Sequence, residues 1–170
     1  MSTPLRLFIQ PLTIRFAELY RSAADAYNRT PPAERNSGFD LFCDTADSDL
    51  TEYAHIVSQG CRAVALDAAG APRAFWLAPR SSICRSRWRL ANSLGLIDAT
   101  YRGPIRAALY SVGADPVPAL PASLHEVRLT QLAAGDLTPW AEVVVVDELP
   151  VGVAVTGRGA GGFGSTGGHT

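Results

Sequence analysis

The chain has 170 residues, enough for one domain. Its 47% hydrophobic and 18% charged content supports a core and excludes wholesale disorder. The formal net charge is -1 and all 15 basic residues are arginine, which excludes a Walker A loop and Schiff-base or pyridoxal-phosphate chemistry, since each needs a lysine. A near-neutral balance is also not that of a basic nucleic-acid binder.

Along the chain, Leu12, Phe16, Leu19, Tyr20 and Ala23 recur at helical spacing, and Pro31 and Pro32 end the pattern. This predicts one helical segment, about residues 12–28. The remainder reads as short strands broken by Gly, Pro, Asp and Ser: Gly38–Cys43, Tyr53–Ser58, Arg62–Leu66, Arg73–Ala78, Pro104–Ser111, Glu126–Leu132 and Ala141–Asp147. Such spacing predicts an all-β sandwich or barrel. Gly157 to Gly168 holds seven of the 15 glycines, so residues 157–170 are expected as a mobile arm following a β domain over 1–156.

The cysteines Cys43, Cys61 and Cys84 are odd in number and lack a Cys-x-x-Cys pair, so they are expected as small apolar residues in a reducing intracellular compartment. His55, His125 and His169 are far apart and have no ligand spacing. No targeting signal is visible and no apolar run approaches a membrane span, so no membrane partner is expected.

Five segments carry residue types suited to a phosphorylated ligand. In Asn36-Ser37-Gly38-Phe39-Asp40-Leu41 the aspartate opens a strand, where it also serves as an ordinary turn residue. Pro79-Arg80-Ser81-Ser82 puts a guanidinium and two hydroxyls after a strand, a set that suits phosphate oxygens as well as a polar turn. In Asn92 to Gly103, Gly95 and Gly103 bracket two half-strands, as a hairpin would, with Asp98 and Tyr101 at the tip. Such a tip offers a ligand backbone donors and acceptors, an aromatic face and a carboxylate. In Arg128-Leu129-Thr130-Gln131, strand alternation places Arg128 with Thr130 and Leu129 with Gln131. Finally, in Arg158 to Gly167 the glycines let backbone N–H groups wrap an anion, and Ser165 and Thr166 add hydroxyls.

Taken in chain order, Ser-Gly-Phe-Asp-Leu, Pro-Arg-Ser-Ser, Gly-Leu-Ile-Asp-Ala-Thr-Tyr-Arg-Gly, Arg-Leu-Thr-Gln and Arg-Gly-Ala-Gly-Gly-Phe-Gly-Ser-Thr-Gly resemble the five motifs of the trimeric dUTP pyrophosphatase (dUTPase) family, spanning Ser37 to Gly167. The resemblance implies a jelly-roll barrel, a homotrimer with shared active sites, and Mg²⁺-assisted hydrolysis of dUTP to dUMP and pyrophosphate. That reaction lowers dUTP and supplies dUMP for dTMP synthesis.

The resemblance also implies roles. Asp98 is the general base that takes a proton from the water attacking the α-phosphorus. Tyr101 packs under the deoxyribose and excludes a 2′-hydroxyl. Asn92 and the backbone from Gly95 to Ile97 read the uracil edge and the sugar. Arg80, Ser81 and Ser82 serve the phosphates, and Gln131 lies near the α-phosphate. Asp40 touches Mg²⁺ through water, the metal being held mainly by the triphosphate. Arg158, Gly164, Ser165 and Thr166 close on the γ-phosphate, and Phe163 stacks on the uracil.

Two departures stand out: Thr100 replaces an aspartate or glycine, and Glu126-Val127 precedes Arg128 where Gly-Asp is common. The segment before Asn36 is also long for the family. The related dCTP deaminase is an alternative, suggested by Arg80-Ser81-Ser82-Ile83-Cys84-Arg85. It needs a catalytic glutamate at the place of Ala108. A nucleotide-binding regulatory protein with a protein partner is another.

Overall fold

The computed structural model describes residues 4–114 and 116–150. It is mostly β-sheet with one α-helix, as the spacing predicts. The elements run β1 (Arg6–Pro11), α1 (Ile14–Arg29), β2 (Gly38–Asp40), β3 (Asp44–Leu50), β4 (His55–Leu66), β5 (Pro72–Arg73), β6 (Phe75–Pro79), β7 (Trp88–Leu90), β8 (Gly95–Ile97), β9 (Pro104–Ser111), β10 (Thr130–Ala134) and β11 (Glu142–Val145). Short 3-10 turns occupy Pro32–Glu34, Ser81–Arg85 and Ala122–Leu124. No helix among the described residues is long and apolar enough to cross a membrane.

Helix α1 forms where the apolar spacing places it. Thr13 caps it by accepting from Phe16 N at 3.3 Å, and Phe16, Tyr20 and Ala24 turn one face into the core. The buried Tyr20 hydroxyl donates to Gln59 O at 2.5 Å and accepts from Phe42 N at 3.2 Å. It thereby ties the helix to two strand-bearing segments.

The strands make two sheets. One holds seven strands in the order β11-β1-β4-β9-β7, with β3 and β5 also paired to β4; the other runs β2-β10-β6-β8. Leu7 and Ile9 of β1, Phe75 and Leu77 of β6, Ile105 and Leu109 of β9, and Leu132 of β10 share one buried cluster with the helix face. Trp140 is fully buried in it and its indole N–H donates to Leu132 O at 3.0 Å.

Several expectations are corrected. Tyr53–Ser58 and Arg62–Leu66 are not two strands but halves of β4. Its first half lies between β3 and β9 and its second between β1 and β5. Gly60 (φ +63°) sits at the changeover and makes a bulge rather than a turn. Gly95 to Gly103 is not a hairpin of paired strands. β8 pairs with β6, β9 pairs with β4 and β7, and the segment carries the chain from one sheet to the other. The strand expected at Glu126 begins only at Thr130. Cys43 and Cys61 are buried as expected, whereas Cys84 is exposed.

Candidate functional site

The expected site residues fall into two groups on the four-stranded sheet. The first gathers at one end of β2, β6 and β10. Asp40 ends β2 and lies opposite Gln131 of β10, while Arg80 follows β6 and donates its backbone N–H to Leu129 O at 2.9 Å. These ladders bring the side chains together. Arg80 Nε donates to Asp40 Oδ1 at 2.6 Å, and Arg80 Nη1 reaches Ser82 Oγ at 3.2 Å and Arg128 O at 3.0 Å. Arg128 Nη1 approaches Asp40 Oδ2 at 3.3 Å. Gln131 Nε2 donates to Pro79 O at 3.1 Å, and its carboxamide lies across Gly38, where a Cβ would collide with it. Ser81 is exposed beside Ser82 at the opening of the 3-10 turn.

Arg128 joins this cluster although the sequence reading gave it no role. The signal was its place two residues before Thr130, but alternation put both on one face. Because β10 starts later, Thr130 is instead fully buried, donating to Gln59 Oε1 at 2.8 Å, while the Arg128 side chain is 50% exposed. Two guanidiniums face one carboxylate, so the cluster keeps an excess positive charge. With the hydroxyls of Ser81 and Ser82 it can receive phosphate oxygens through forked, charge-assisted bonds.

The second group is the crossing segment around β8. Gly95 faces Leu77 so closely that a Cβ there would lie 3.2 Å from Leu77 Cβ and 3.5 Å from Asn92 Nδ2. Ile97 packs against the core, and half-buried Asp98 follows it into a turn closed by Tyr101 N donating to Asp98 O at 3.0 Å. Tyr101 Oη donates to Pro104 O at 2.8 Å, and its ring lies over Gly103, which has no room for a Cβ. Burial raises the Tyr101 phenol's pKa above its ordinary 10.0. Arg102 Nη1 braces the turn by donating to Ala99 O at 2.8 Å. The crossing is thus a fixed shelf that presents a carboxylate beside an aromatic side chain.

The two groups lie apart within the chain. Ile97 pairs with Phe75 at the start of β6, whereas Arg80 follows Pro79 at its end. Asp98 therefore lies level with residue 74, six residues from Arg80, or about 20 Å along a strand. Arg158, Phe163, Gly164, Ser165 and Thr166 lie outside the described residues, as does the expected 157–170 arm. No group of three or more His, Cys, Asp or Glu side chains suited to a metal occurs among the described residues. Ala108, where the deaminase alternative needs its glutamate, is a buried residue of β9 paired with Ile56.

The described residues thus form a two-sheet β scaffold that carries an arginine–serine–aspartate cluster and, apart from it, a segment bearing Asp98 and Tyr101. Comparison with known proteins narrows the class. No family model matches the chain. Curated proteins named deoxyuridine 5'-triphosphate nucleotidohydrolase do. That of Mycobacterium tuberculosis is 42% identical over 95 residues, that of Mycobacterium leprae 42% over 94, and that of Mycobacterium marinum 39% over 94. Each match spans 54% of this chain and 58% of the relative. The chain thus spans little more than half the length of these relatives, and over that stretch it is similar to them.

Proposed function

We propose that the protein hydrolyses dUTP to dUMP and pyrophosphate. The similarity to relatives bearing that name, at about two-fifths identity over 94 to 95 residues, carries this reading. The site chemistry supports it. Asp98, on its rigid shelf, takes the proton of the attacking water, and Tyr101 and the Gly95–Ile97 backbone hold the deoxyuridine. Arg80, Ser81, Ser82 and Gln131 bind the phosphates, with Asp40 aligning Arg80 through its 2.6 Å ion pair. Arg158, Phe163, Gly164, Ser165 and Thr166 complete the set.

A Mg²⁺ ion would take its ligands chiefly from triphosphate oxygens and water, and it would supply charge neutralisation at those phosphates. The carboxylate of Asp40 suits a contact through water, since both its oxygens already engage guanidiniums. The spacing of the two residue groups along β6 supports a homotrimer with shared sites, because a ligand touching both must be reached by more than one chain.

A pyrophosphate-release assay with dUTP, dCTP, dTTP and UTP, with and without Mg²⁺, tests the reading. The expected result is Mg²⁺-dependent release from dUTP alone. Ammonia released from dCTP with dUTP untouched would transfer the reading to a deaminase, and inertness towards all four would leave only a binding role.

A further inference from the structure

The backbone at Glu126 is left-handed, with φ +63°, a conformation that glycine adopts freely and other residues rarely do. Something must hold it there. Arg15, in the first turn of helix α1, forks onto the Glu126 carboxylate, with Nε to Oε1 at 2.7 Å and Nη2 to Oε2 at 2.8 Å. Glu18 steadies the same guanidinium at 3.3 Å, and His125 Nε2 lies 4.0 Å from Glu126 Oε1. The backbone of the pair is laced to the strand-bearing segment opposite: Glu126 N donates to Cys43 O at 2.8 Å and Cys43 N to Val127 O at 3.0 Å. Two residues further on, Arg128 offers its carbonyl to Arg80 and its guanidinium to Asp40.

We propose that Arg15 is a positioning residue for the phosphate-binding cluster: its grip on Glu126 fixes the left-handed turn that delivers Arg128 to Asp40 and Arg80. The long segment before Asn36 thereby acquires a task. A glycine would hold this φ unaided, whereas the glutamate receives its restraint from the helix. Arg15 touches no ligand and acts only through Glu126. The inference rests on the reading of this cluster as the phosphate site of a dUTP hydrolase.

The test is a cycle of Arg15→Ala, Glu126→Gly and the double variant on the full chain, read by steady-state kinetics on dUTP and by calorimetric titration with inorganic pyrophosphate. Arg15→Ala should raise KM by about five- to tenfold with kcat within about twofold, the signature of lost ground-state binding. Glu126→Gly should leave KM near that of the unaltered protein, and adding Arg15→Ala to it should then change nothing. Arg15→Lys, whose ammonium cannot fork, should fall between. An unchanged KM in Arg15→Ala, or the same rise in both backgrounds, would overturn the inference. Pyrophosphate affinity separates it from the functional reading. If the unaltered protein binds pyrophosphate without hydrolysing dUTP and Arg15→Ala weakens that binding, the clamp stands and the hydrolase reading fails. Pyrophosphate affinity indifferent to Arg15 removes the clamp.

Discussion

At the scale of single residues, environment separates side chains that composition treats alike. The three cysteines are one example. Burial pushes the Cys43 thiol up to about 11 and the Cys61 thiol to about 12, while Cys84 is exposed. Since the thiolate is the reacting form, a maleimide-type reagent at pH 8 should label one thiol per native chain and three after denaturation. Mass spectrometry counts them, and rapid native labelling at Cys61 would contradict the packing around Tyr20. The candidate site was legible to a similar depth. Asp40, Arg80, Ser82 and Gln131 could be named from motif order, and their ladders do bring them together. Arg128 was missed because alternation was counted along a strand expected from Glu126, whereas β10 begins only at Thr130. Arg15 could not be found at all, because its partner lies 111 residues away and no local pattern signals the pairing.

Elements show why the rest of the fold was hidden. Helix α1 and β9 are long enough for their spacing to speak. β3, with the sequence DTADSDL, is polar on both faces because it pairs only with β4, and Asp47 and Asp49 turn outward to Arg106. Its acids suit an exposed edge, but they also look like a loop. Gly60 was the opposite error. A glycine between two apolar runs looks like a turn, yet here it lets β4 exchange neighbours without stopping. The Phe16 ring fills the space a Cβ would need. Gly60→Ala should therefore combine left-handed strain with overpacking and cost about 2–4 kcal/mol, as read from urea denaturation. A loss below about 0.5 kcal/mol would show that the bulge yields easily.

The whole molecule is the scale at which the proposed shared site is tested. If Asp98 and Arg80 of a working site belong to different chains, two inactive variants can repair one another. Asp98→Asn and Arg80→Ala, co-expressed in equal amounts, should regain about a quarter of the activity, because random mixing leaves that share of sites with both residues intact. Each variant alone should be inactive, and sizing should find a trimer. No recovery in mixed trimers would put both residues in one chain's site and contradict the spacing along β6.

The pairing of β11 with β1 has a consequence for how the protein is made. Residues 6–9 align in parallel with residues 142–145, so β1 gains one neighbour early, from β4, and the other only once residues 142–145 have been made. Contacts so distant in sequence raise the contact order and slow folding. Until residue 145 leaves the ribosome, β1 presents an open edge, and a nascent chain halted before that point exposes an apolar strand to any other chain able to pair with it.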